Sequence, residues 1–201
     1  MQSESDSEVI VFFGLTLAIG AVGYLPWVLS SYGYLPPEVF ILLYLGGISP
    51  MLAAVIIANK NYGSRSGFLF GSFKKDLCGR WLVLAIVLPL LIFVASVAPL
   101  AFLGQPLDFA GLDWVQFLPL FPVMVFMNVW EEIGWRGYAL PKLQERHNAL
   151  VSGVIVGVFW SLWHWPHLLV KDSPMLANNG SVLLFVIMTT LDSLIFTAVY
   201  N

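Results

Sequence analysis

Six apolar stretches of roughly 17–25 residues, each long enough to cross a bilayer, leave this chain little choice but a membrane. They fall at Val9–Leu29, Val39–Ala58, Trp81–Leu103, Val115–Glu132, Ala149–Trp165 and Ser181–Tyr200. Of the 201 residues, 59% are hydrophobic and 10% charged, and the mean hydropathy is +0.84. A water-soluble surface needs more polar side chains than this composition supplies. The expected fold is therefore all-α: a polytopic transmembrane bundle, one membrane-embedded domain over residues 1–201. Pro119 and Pro122 interrupt the fourth stretch. Membranes tolerate such breaks where a cavity or a neighbouring helix satisfies the freed backbone groups.

The positions of Lys and Arg set the expected orientation. Lys60, Arg65, Lys74, Lys75 and Arg80 lie between the second and third stretches, and Lys142 and Arg146 between the fourth and fifth. Both connections fall on one side, whereas the opposite side carries only Lys171. An integral protein of the cell membrane is expected, with a cytoplasmic N-terminus and basic loops. The loops Gln105–Trp114 and Pro166–Gly180 then face outwards. The first residues carry Glu4, Asp6 and Glu8 but no base, unlike a signal peptide, so the first stretch reads as a retained helix. The single Cys78 excludes an internal disulfide and a cysteine zinc cage. No basic cluster is paired with aromatic residues, which argues against nucleic acid as a partner. Asn179-Gly180-Ser181 fits the weak glycosylation acceptor pattern.

Against this background the charges of Glu131, Glu132 and Arg136 stand out, at or near the end of a membrane helix. A charge at the bilayer centre costs about 2.5–3.5 kcal/mol on insertion scales, so such residues face a protein interior or a wet cavity. Glu132 and Arg136 are four apart and share a helix face, where they can pair. Glu131 lies about 100° away around the axis. One carboxylate is then held by an internal cation, and the other is available for chemistry.

A second constellation follows in the fifth stretch, Trp160-Ser-Leu-Trp-His164-Trp-Pro-His167. Positions 160, 163, 164 and 167 have the i, i+3, i+4, i+7 spacing of one helix face. Pro166 is expected to end or kink the helix, which places His164 on that face more firmly than His167. A histidine with an ordinary pKa of about 6.5 is suited to proton transfer. A carboxylate and a neutral imidazole facing one water molecule can share its activation.

These two motifs resemble those of the CAAX protease and bacteriocin-processing (CPBP) family. Glu131-Glu132-x-x-x-Arg136, running on through Gly137-Tyr138-Ala139-Leu140-Pro141, is similar to the family's first motif. Trp160-x-x-x-His164 is similar to the second, where the usual aromatic residue is phenylalanine. The resemblance covers roughly 114–201, while the earlier helices match in hydropathy alone. It implies an intramembrane glutamate endopeptidase, related to the type II CAAX prenyl endopeptidases that remove the terminal tripeptide from prenylated proteins. On that basis Glu131 is the general base for water, Glu132 a supporting carboxylate paired with Arg136, and His164 a partner in water activation. The expected partners are membrane lipid and a peptide or prenylated protein substrate. No cofactor is implied. No metal is assigned either, since the chain has no H-E-x-x-H pattern. The family's third motif, a histidine four residues before an asparagine or aspartate on a last helix, has no counterpart before Asn201. A missing last helix is therefore expected. Loss of such an oxyanion donor lowers rates by about 10²–10³.

Alternatives remain for several residues. The acidic pair with Arg136 also fits an interfacial charge cluster, and His164 a packed histidine bonded to a backbone carbonyl. Asp192, in the last stretch, has no basic residue on its own helix and suits a structural or a proton-coupled role. His147 reads as a surface residue and His167 as a loop residue; Asn128 suits a helix–helix contact. The competing functions are a non-catalytic bacteriocin-immunity or scaffolding protein of the same fold, and a transporter relaying protons through Glu131, Glu132, His164 and Asp192.

Overall fold

The computed structural model describes residues 2–61, 87, 91, 94–95, 98–99, 101–104 and 128–201, side chains at 2–6, 59–61 and 179 excepted. All regular structure among them is helical, as expected. Helix α1 spans Gln2–Ser31, and a 3-10 turn at Pro37–Leu42 leads into α2 (Leu43–Gly47) and α3 (Ser49–Asn61). Helix α4 is helical at 128–134, passes through a π-helical turn at Trp135–Ala139 and closes at Leu140–Gln144. There follow α5 (Ala149–Trp163), α6 (Trp165–Leu168), α7 (Pro174–Asn179) and α8 (Val182–Tyr200). Residues 1–72 with 125–201 form one compact unit and 73–124 a second; α1–α8 all belong to the first.

Among the described residues, two helices are long and apolar enough to cross a membrane, Ser7–Ser31 and Val182–Tyr200, matching the first and last expected spans. The second expected span is a pair, Pro37–Gly47 and Ser49–Ala58, bent by 46°; counted as one, it makes a third. Most of the third and fourth, Trp81–Leu103 and Val115–Glu132, lies outside the described residues, as do most of the basic residues between the second and third. The fifth is shorter than expected. It ends at Trp163 rather than Trp165, because Pro166 lacks the N–H an α-helix requires and its ring collides with the carbonyl four residues back. At about 1.5 Å per residue, α5 falls short of a hydrocarbon core about 30 Å thick.

Helices start where side chains replace missing backbone partners. Asn148 Oδ1 accepts the Val151 N–H at 2.9 Å at the start of α5, and Ser181 Oγ accepts the Leu184 N–H at 3.2 Å at the start of α8. The π-helical turn in α4 also has a local cause. Pro141 donates no hydrogen bond, and in a regular helix its ring would strike the carbonyl of Gly137. Widening the preceding turn makes room, and the Leu140 N–H bonds Trp135 O five residues back.

The core is an aromatic tier joining α1, α4 and α5. Phe12, Trp135, Tyr138 and Trp163 are buried, and Phe13 stacks on Phe159 with ring centroids 3.7 Å apart. Between α3 and α5, the Trp163 indole N–H donates to Ser49 Oγ at 2.8 Å in a buried position.

Among the described residues, helices α5 and α8 form the most extensive helix–helix interface, and small residues make it possible. A Cβ at Gly157 would lie 2.7 Å from Thr190 Cα, and one at Gly153 would lie 2.9 Å from Thr197 Oγ1. Ser193 Oγ donates to Gly153 O across the same contact, at 2.9 Å. Gly157→Val must therefore push backbone from backbone. The expected cost is about 1–3 kcal/mol, as for other overpacked sites, seen as a lower thermal midpoint of the detergent-solubilised protein.

Candidate active site

The site is assembled by α4, α5 and α8. Helix α4 carries Glu131, Glu132 and Arg136, and the expected i,i+4 pair is present: Arg136 Nη1 donates to Glu132 Oε1 at 2.8 Å. The side chain of Arg136 is 7% exposed and that of Glu132 39%, so the cation is the deeply held member. Aromatic rings flank the guanidinium. Its Cζ lies 4.8 Å from the centroid of Trp160 on α5 and 4.9 Å from that of Phe196 on α8. Cation–π attraction to two rings strengthens when water is excluded, which helps to hold a charge away from solvent.

Glu131 turns to α5. Its Oε2 accepts the indole N–H of Trp160 at 3.3 Å. The backbone carbonyl of the same tryptophan lies 3.0 Å from His164 Nδ1. A carbonyl oxygen only accepts, so Nδ1 carries the proton in this contact and the neutral ring keeps its lone pair on Nε2. Trp160 thus touches Glu131 with its side chain and His164 with its backbone, and stacks over Arg136 as well. One residue ties both motifs together.

The rings around His164 are Trp163 at 4.5 Å, His167 at 5.4 Å, Trp160 at 5.9 Å and Phe185 at 6.0 Å, centroid to centroid. The expected continuous face of 160, 163, 164 and 167 does not form, because α5 stops at Trp163 and His164 sits in the junction with α6. Trp163 points into the core instead, bonded to Ser49. His167 is not a loop residue: it lies in α6 and packs edge-on against Tyr24 at 4.4 Å and Trp27 at 5.1 Å. His147 is exposed, as expected. Asp192 is exposed on α8 and attracts Arg136 electrostatically, while the guanidinium's ion pair among the described residues is with Glu132.

Two contributors escaped the reading of motifs. Phe196 is one more phenylalanine in an apolar helix, although it lies four residues, one helical turn, beyond Asp192 and so shares that carboxylate's face. Ser49 is remote in sequence and carries no local signal at all. The guanidinium's Nε and Nη2 have no hydrogen-bond partner among the described residues.

Glu131 and His164 thus both contact Trp160, one through its indole and the other through its backbone carbonyl, while Arg136, paired with Glu132, lies over the same ring. Residues 113–201 match the family described as type II CAAX prenyl endopeptidase, Rce1-like. The chain is 27% identical over 169 residues to CAAX prenyl protease 2 of Methanococcus maripaludis, an alignment covering 78% of this chain and 62% of that protein. That coverage extends the likeness upstream of residue 113, into helices where hydropathy had been the only guide. The chain is thus similar to the type II CAAX prenyl endopeptidases over residues 113–201, somewhat less than half of its length.

Proposed function

We propose that this protein is an intramembrane endopeptidase that hydrolyses a peptide bond near the C-terminus of a prenylated, CAAX-type protein. One observation carries the reading: the double contact of Trp160, its indole with Glu131 and its backbone carbonyl with His164 Nδ1, which brings a carboxylate and an imidazole to the same tryptophan. In the proposed reaction a water molecule gives a proton to Glu131 as its oxygen attacks the scissile carbonyl, with His164 Nε2 sharing the water. Collapse of the tetrahedral species breaks the C–N bond, and the proton passes to the departing amine. Glu132 takes no proton in this scheme. It holds Arg136, whose charge favours the ionised form of the neighbouring carboxylates.

Residues 1–201 act as one membrane-embedded domain in this reading, with the N-terminus and the Lys142–Arg146 connection at the cytoplasmic face. The name of the M. maripaludis relative supports a prenylated substrate. The direct test is the protein reconstituted in liposomes with a farnesylated peptide, followed by mass spectrometry of the products. Release of a C-terminal tripeptide is expected. An intact peptide after prolonged incubation would favour the non-catalytic alternative.

Trp160→Phe offers a graded check. It keeps a ring over Arg136 and the backbone contact to His164 but removes the N–H donated to Glu131. Hydrogen bonds to charged groups contribute about 1.5–3 kcal/mol, and the 3.3 Å length places this one at the low end. The expected outcome is a fall of about tenfold in kcat/KM, with the thermal midpoint little changed.

A further inference from the structure

Helix α1 brings a residue outside both motifs to the edge of the site. Tyr24 is 2% exposed, and its ring packs edge-on against Trp163 and His167, with centroids 5.5 and 4.4 Å away. Both of those rings also pack against His164. A third contact is with α2. Gly46 lies so close to the phenol ring that a Cβ there would strike Tyr24 Cε1, and a Cβ on Gly23 would strike the Gly46 backbone. Two glycines thus let α1 and α2 approach, and the ring is held against both α2 and the α5–α6 junction. The hydroxyl at the end of this fixed ring makes no hydrogen bond to another described residue. Glu131 acts on it electrostatically from α4, although the two do not bond.

Hydrolysis of a peptide bond puts negative charge on the scissile carbonyl oxygen, and a positioned donor stabilises that charge. The other described donors around His164 and Glu131 are committed. The Trp160 N–H goes to Glu131, the Trp163 N–H to Ser49 and Arg136 Nη1 to Glu132. The rest of the guanidinium is buried between the rings of Trp160 and Phe196. A phenol that is locked in place and unbonded donates without adding charge or having to reorganise. We propose that Tyr24 is a further catalytic residue, whose hydroxyl donates a hydrogen bond to the scissile carbonyl oxygen as that oxygen becomes negative. The phenol keeps its proton throughout, and the proton from water still travels by way of Glu131 to the departing amine. This role rests on the peptidase reading of the site and deepens it.

Tyr24→Phe tests it, assayed beside the wild type in liposomes with a farnesylated peptide. Phenylalanine keeps the ring and its contacts with Gly46, Trp163 and His167, and removes the hydroxyl alone. A fall in kcat of about 10²–10³ is expected, the effect of losing one oxyanion donor, with KM and the thermal midpoint little changed. A farnesylated peptide carrying a phosphinate in place of the scissile amide presents a tetrahedral, negatively charged centre. Tyr24→Phe should bind it more weakly by the same factor as the loss in kcat. Wild-type cleavage with an unchanged kcat in Tyr24→Phe would overturn the proposal and leave the peptidase reading standing. So would a slower variant that binds the phosphinate as tightly as the wild type does. Absence of cleavage by the wild type would remove the peptidase reading itself, and this role with it.

Discussion

Glu131→Gln is expected to lower kcat/KM on a farnesylated peptide by about 10²–10⁴, the contribution of a positioned general base. Glutamine has nearly the shape of glutamate, and its amide oxygen can still accept the indole N–H of Trp160. What it cannot do is take a proton from water. His164→Ala should produce a loss of the same order, because the ring's Nδ1 is committed to the Trp160 carbonyl and Nε2 is the atom left for chemistry. The check is steady-state kinetics in liposomes, with circular dichroism confirming that both variants remain folded. Near-normal activity in either would remove that residue from the mechanism.

The second large effect concerns stability, and its asymmetry is the informative part. Breaking a buried ion pair by removing one partner costs about 3–5 kcal/mol, because the remaining charge is stranded. In the Glu132–Arg136 pair the two members are not equally buried, at 39% and 7% exposure. Glu132→Gln strands the deeply held guanidinium between Trp160 and Phe196, and the cost is expected near the bottom of that range because Glu131 and Asp192 also attract it. Arg136→Met leaves a carboxylate that is only partly buried, and methionine keeps much of the aliphatic stem, so it should cost less. Combining the two should recover part of the loss. Thermal melts of the single and double variants in detergent decide the matter, and equal costs for the two singles would mean that burial does not govern the pair.

The motifs were legible because their chemistry is local. Charges that lipid disfavours mark themselves, four-residue spacing declares the Glu132–Arg136 pair, and the spacing from Trp160 to His164 places the histidine one turn along. Uninterrupted apolar length likewise revealed α1 and α8. The rest depended on backbone detail and tertiary contact. Pro166 signalled a break near the end of α5, but period counting carried the helix to Trp165 and drew a single face that the junction at His164 divides. Pro141 caused the π-helical turn, yet a widened turn leaves no mark on hydrophobic period. The role of Trp163 was missed because its partner, Ser49, lies on another helix far away in the chain. Phe196 was missed for the same reason.

The convergence of Glu131 and His164 on a single water is best tested by a kinetic double-mutant cycle. Glu131→Gln, His164→Ala and the combined variant would be assayed on one farnesylated peptide in liposomes. Groups that act as a unit are strongly non-additive. The double variant should therefore be about as slow as the slower single variant. Losses that multiply would mean that the carboxylate and the imidazole act separately.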